Sequence, residues 1–87
     1  MGQLDADGIL GFSPSDQGTG AKLIVPALYQ KGLIEKNMFS LHFNYNNTHI
    51  LTLGGYDLSF KLQWFPLSSK NYWQIKLSSL KIGGKPT

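Results

Sequence analysis

The chain has 87 residues, which bounds it to one small domain or to part of a larger one. It contains no cysteine, so disulfide staples, zinc-thiolate sites and thiol nucleophiles are excluded together. The net charge of +3 comes from eight lysines and no arginine, spaced singly from Lys22 to Lys85. That is a solvated surface, not the clustered, arginine-bearing face of a nucleic-acid binder, and no nucleic-acid partner is expected.

The chain opens on an Asp-Gly turn, Asp7-Gly8, that feeds a short strand predicted over Ile9 to Phe12. The polar stretch SPSDQGTG that follows predicts an irregular surface loop from Ser13 to Gly20. In LIVPALYQKGLI, Pro26 stands where a first helical turn tolerates it and Gly32 where a helix stops, so a helix of about two turns is expected from Pro26 to Lys31. Too short to stand alone, it must dock on a sheet.

The clearest pattern is MFSLHFNYNNTHILTLGG. Phe39, Leu41, Phe43 and Tyr45 alternate with Ser40, His42 and Asn44, the period of a strand with one buried face. After NYNN the chain returns from Thr48 to Leu53, giving a β-hairpin that Gly54-Gly55 ends. LQWFPL predicts a short strand stopped near Pro66, and NYWQIKL another, with Trp73, Ile75 and Leu77 facing away from Tyr72, Gln74 and Lys76. A bulge or a bend is expected at Ser78-Ser79 before Leu80 and Ile82. Phe39, Trp64 and Trp73 are the expected core aromatics. The fold class is therefore mainly β, with antiparallel strands, a hairpin and one short helix. There is no internal repeat, and the joints expected to flex are residues 13–20 and 54–59.

Chemistry-bearing side chains are sparse. His42 and His49 sit on opposite arms of the hairpin without an acidic partner, so they predict solvent-facing strand histidines and no metal site. Gly54-Gly55 lacks the following helix and the Lys-Ser/Thr pair of a phosphate cradle. Asn46-Asn47-Thr48 is an N-glycosylation sequon at the expected hairpin tip. No apolar run approaches the roughly 20 residues of a bilayer crossing, and the residues after Met1 show no basic-then-apolar signal pattern.

Taken in order, these segments resemble the pepsin-like aspartic proteases. DGILGF is similar to the family's D-G-I-L-G-L, and LIVPALYQKGLIEKNMFSLHF to its helix, Gly-Leu-Ile turn and x-x-F-S-x-x-L strand. ILTLGGYDLSF resembles L-x-L-G-G-x-D-x-S-x-Y, and LQWFPLSSKNYWQIKLSSLKIGG resembles L-x-W-V-P-V followed by Y-W-Q-I-x-L-x-x-I-x-x-x-G. The likeness runs from Asp7 to Gly84. It implies peptide-bond hydrolysis by two aspartates, one from each lobe, carried in D-T-G or D-S-G motifs and sharing a proton, with no cofactor and no metal.

Neither motif occurs among Asp5, Asp7, Asp16 and Asp57, so no residue of this chain is expected to be catalytic. The resemblance implies that residues 1–87 form a partial peptidase domain: the end of the amino-terminal lobe, the crossing, and the start of the carboxy-terminal lobe. Ile9 would line a specificity pocket for an apolar side chain, and Tyr72 would lie near the pocket beyond the scissile bond, both facing a peptide substrate. A secreted or vacuolar-lysosomal parent protein is implied too. Alone, the chain is expected to be inactive and to self-associate through uncovered apolar surface. The alternative is a non-catalytic β module whose open strand edges pair with another chain.

Overall fold

The computed structural model describes residues 5–86. Its elements, in order, are helix α1 (Ile24–Gln30), strands β1 (Phe39–Phe43) and β2 (His49–Leu53), and strands β3 (Lys81–Ile82) and β4 (Lys85–Pro86). Each strand pair forms its own antiparallel ribbon, β1 with β2 and β3 with β4. The expected class, antiparallel β with one short helix, is what the structure shows.

Helix α1 starts two residues before Pro26. Pro26 is its third residue, still among the first four positions whose N–H groups have no partner inside a helix, so the missing donor costs nothing there. The end is a complete Schellman motif. Gly32 takes a left-handed φ of 72°, its N–H donates to the Tyr29 carbonyl at 3.0 Å, and the Leu33 N–H donates to the Leu28 carbonyl at 3.0 Å. Val25, on this helix, is the one buried apolar residue among those described, at 6% exposure.

In the hairpin, Phe39 pairs with Leu53, Leu41 with Leu51 and Phe43 with His49 on one face, while Ser40 pairs with Thr52 and His42 with Ile50 on the other. The ladder is extended by the Gly54 N–H, which donates to the Met38 carbonyl at 2.7 Å. Gly54 is required at this point. Its φ is +90°, and a Cβ there would come within 2.7 Å of the Ile34 Cβ. Thus the turn after the helix and the exit of the hairpin touch backbone to side chain.

Several sequence expectations are corrected. The face carrying Leu41, Phe43 and Tyr45 was expected to be buried, yet these residues are exposed. Instead, the opposite face is half covered. A turn at Asp57 reverses the chain and stacks the Phe60 ring on His42, with centroids 4.4 Å apart, so His42 is half-buried and not solvent-facing. The strands expected at 9–12, 62–67 and 71–77 do not form: these segments enter no ladder, and residues 71–73 bend. Strand residues need a neighbouring strand for their N–H and C=O groups, and none of these three segments pairs with one among the described residues; the Phe12 carbonyl accepts the Trp73 indole N–H and the Gln74 carbonyl the Ser68 N–H instead. Trp64 and Trp73, expected in the core, are 65% and 60% exposed. Phe39 is half-buried.

KIGGKP closes on itself. Gly83 and Gly84, with φ of 61° and 82°, make the two-residue turn that pairs Ile82 with Lys85. Of the bulge or bend expected at Ser78-Ser79, the structure shows a bend at Ser78. The chain as a whole is open: its Cα radius of gyration is 16.6 Å, against about 12 Å for a compact domain of this length. Its accessible surface of 8041 Å² compares with roughly 5,100 Å² for a compact protein of its mass.

Candidate functional site

Three segments far apart in sequence converge on one aromatic group. The Phe12 and Phe39 rings lie 4.9 Å apart, and Trp73 meets Phe39 edge-on at 5.5 Å. The Trp73 indole N–H donates to the Phe12 carbonyl at 2.6 Å. Beside this group, the same segments are pinned by polar bonds: the Ser15 hydroxyl donates to the Asn71 side-chain oxygen at 2.9 Å, and the Gln17 side-chain amide donates to the Asn71 carbonyl and, at 3.0 Å, to the Ser13 hydroxyl. Gln17 holds a left-handed φ of 56° ahead of Gly18 at 79°, in a turn closed by the Thr19 N–H to the Asp16 carbonyl at 3.0 Å. The loop expected to be irregular is thus tied to the far end of the chain.

Around the aromatics is a cavity of about 500 Å³, lined by residues 11–14, 23–26 and 37–39 and by Trp73. None of its lining residues is titratable. It can receive an apolar group, and it has no acid or base with which to transform one.

Ile9 and Tyr72 do not line it. Ile9 is 79% exposed two residues before Gly11, and Tyr72 is 59% exposed beside Trp73, so each sits next in the chain to a residue of the cavity wall or near it. Asn46 is exposed in the loop at the opposite end of the hairpin.

The carboxylates are dispersed. Asp5, Asp7, Glu35 and Asp57 are exposed, and the half-buried Asp16 accepts the Gly18 N–H at 2.9 Å as a turn residue. Asp57 does the same for Ser59, accepting its N–H at 2.9 Å and its hydroxyl at 2.8 Å. These two bonds hold the Asp57 carboxyl below its ordinary range, with a smaller contribution from the nearby His42. No group of three or more metal-ligating side chains exists among the described residues. The His42 Nε2 pairs with the Asn44 side-chain oxygen at 2.6 Å, and the His49 Nδ1 accepts the Asn44 N–H at 3.2 Å, so both rings serve the hairpin.

The sequence reading missed the convergence of Phe12, Ser15, Gln17, Asn71 and Trp73. Partners 54 to 61 residues apart leave no periodic trace. The one available cue was an indole N–H, a donor that seeks a partner wherever the ring packs.

The whole chain, residues 1–87, matches the family model described as eukaryotic aspartyl protease. It is 36% identical over 85 residues to pepsin A of Sus scrofa, a match covering 91% of this chain and 22% of that protein. Pepsin A of Rhinolophus ferrumequinum is 35% identical with the same coverage, and cathepsin E of Oryctolagus cuniculus is 35% identical over 88 residues, covering 92% of this chain and 22% of the relative. The chain belongs to the eukaryotic aspartyl protease family, in its pepsin-like branch. It spans about a fifth of the length of these curated relatives. No solved structure matches it.

Proposed function

We propose that this chain is a non-catalytic stretch of a pepsin-like aspartic endopeptidase. It would comprise the end of one lobe, the crossing and the start of the other. Peptide bonds are then hydrolysed by an aspartate pair from Asp-Thr/Ser-Gly motifs outside residues 1–87. One member, ionised, takes a proton from water while the other, protonated, gives one to the substrate carbonyl, because like charges so close cannot both ionise.

The observation that carries this reading is the coverage: 91% of the chain aligns to 22% of a pepsin, and neither catalytic motif lies within it. The exposed Leu41, Phe43, Trp64, Ile75 and Leu77 support it, being surface that the remainder of such an enzyme would cover. Ile9 and Tyr72 then contact an extended peptide substrate, and the parent enzyme is secreted or vacuolar-lysosomal. The isolated stretch self-associates.

A peptidase assay at acid pH tests this on two samples, the 87-residue chain and the product of the surrounding reading frame. The expected result is no cleavage by the first and pepstatin-sensitive cleavage by the second. Pepstatin-sensitive cleavage by the short chain would overturn its inactivity. A reading frame without an Asp-Thr/Ser-Gly pair would overturn the endopeptidase reading itself.

A further inference from the structure

The loop joining β1 to β2 runs from Asn44 to Thr48, beyond the last pair Phe43 and His49. Of the asparagines at 37, 44, 46, 47 and 71, Asn46 alone stands two residues before a Ser or Thr with no proline between. Asn46, Asn47 and Thr48 are all exposed. The Asn46 Oδ1 accepts the Thr48 N–H at 3.1 Å, closing a local Asx turn that Asn47 completes with a left-handed φ of 64°. That bond uses the carbonyl side of the carboxamide and leaves the Nδ2 and the Thr48 hydroxyl without partners among the described residues.

An Asx turn alone accounts for the Asn46 carbonyl and the Thr48 N–H. It gives no task to the Nδ2 or to the hydroxyl, the two groups that an N-glycosylation acceptor needs free. We propose that Asn46 is an N-glycan attachment site. The Nδ2 forms a bond to the anomeric carbon of the first N-acetylglucosamine of a polyprenyl-pyrophosphate-linked oligosaccharide. The bond from that carbon to the pyrophosphate oxygen breaks, the lipid pyrophosphate leaves with the electron pair, and the amide nitrogen gives up one proton.

The position tolerates the bulk. The four residue steps from Phe39 to Phe43 already put about 14 Å between the loop and the aromatic cavity, and the neighbouring Tyr45 ring is fully exposed, so nothing packs over the tip. The inference rests on the secretory or vacuolar-lysosomal route proposed above, since the donor lipid is met only there.

The test uses two proteins: the 87-residue chain directed into the secretory pathway of a eukaryotic cell by a foreign cleavable signal, and the native product with its own leader. Both are denatured, so that folding does not enter, and read by intact mass and by mobility before and after peptide-N-glycosidase. The expected result is one glycan, removed by the enzyme with conversion of Asn46 to aspartate, lost completely in Asn46→Gln and Thr48→Ala and retained in part in Thr48→Ser. A directed chain that emerges unmodified at Asn46 overturns the site. Modification of the directed chain with an unmodified native product upholds the acceptor and overturns the proposed route, which keeps the two failures apart.

Discussion

Residues 24–53 and residues 55–80 are equally rich in apolar side chains, and they end in different physical states. The first region satisfies its backbone from within: the helix bonds to itself, its end is closed by Gly32 and Leu33, and β1 and β2 bond to each other. The second makes short turns, such as the Phe60 N–H to the Asp57 carbonyl at 3.2 Å, and a longer-range bond from the Ser68 N–H to the Gln74 carbonyl at 2.8 Å. Its segments of strand-like sequence enter no ladder. An apolar alternation marks which side chains want cover, and a strand exists only where a second strand meets it. Helices and hairpins bring their partners with them.

If that difference is real, the first region should fail at its close approach. Gly54→Ala puts a Cβ 2.7 Å from the Ile34 Cβ and 3.4 Å from the Glu35 nitrogen, at a φ of +90°. The conformational strain alone is of order 1–3 kcal/mol, and an isolated hairpin has little stability to lose. Amide hydrogen exchange across β1 and β2 should speed up by roughly tenfold or more. Unchanged protection would mean that the hairpin stands without the contact between residues 34 and 54, and the region would divide into two independent pieces.

Next in size is Gly32→Ala. A left-handed φ of 72° costs a non-glycine residue about 1–2 kcal/mol, and nothing lies within 4 Å of the added methyl, so no clash adds to it. The effect should be confined to α1 and its Schellman bonds, read as loss of helical chemical shifts at Tyr29 to Lys31 with the hairpin shifts unmoved. Hairpin shifts that moved equally would show the two elements to be one cooperative unit.

The second region meets the first through Phe60 on His42 and through Trp73 on Phe39. Trp73→Phe keeps a ring against Phe39 and removes the N–H that reaches the Phe12 carbonyl at 2.6 Å, a loss of about 1 kcal/mol for one neutral hydrogen bond. Trp64→Ala removes a single edge contact with Tyr56, at 5.5 Å, from a ring already 65% exposed, and should cost less. Near-ultraviolet circular dichroism with a denaturant titration would rank the two. The reverse order would place the anchor of residues 55–80 at Tyr56 and Trp64.

How far the chain could be read in advance follows the same division. Pro26, Gly32, the alternation from Phe39 to Tyr45, and Gly54 act within a few residues, and they placed the helix, its stop, the hairpin and its end to within two positions. Trp64, Trp73 and Ile75 fitted the strand pattern equally well, but their pairing depends on chain that lies elsewhere in space, which no local pattern encodes. The open side of the hairpin was misread for a related reason. Alternation says that one face is apolar; it does not say whether anything is there to cover it, and Phe60 covers the other. Candidate site residues divide likewise: the glycan sequon is a three-residue signal and was visible, whereas the grouping of Phe12, Phe39 and Trp73 was not. The aspartyl protease family was legible because the ordered motifs from Asp7 to Gly84 do not depend on how the chain folds.

The smallest expected effect concerns the turn that aims Phe60 at His42. The Asp57 carboxylate accepts the Ser59 N–H and hydroxyl, which hold its pKa below the ordinary 3.8, with His42 adding a minor attraction. A carboxylate whose folded pKa is lowered stabilises the fold at pH values above 3.8 and loses that contribution as the pH falls through the folded value. Because Asp57 is exposed, solvent screens the effect and it should remain local. Lowering the pH from about 6 to about 2 should shift the Ser59 amide resonance with a midpoint below 3.8 and loosen the Phe60 ring from His42. In Asp57→Asn, which keeps an acceptor oxygen without the charge, the Ser59 shift should stay flat over that range. A midpoint at or above 3.8 in the unaltered chain would mean that the two Ser59 bonds do not hold the carboxylate. The stacking of Phe60 on the polar face of the hairpin would then need a cause other than this turn.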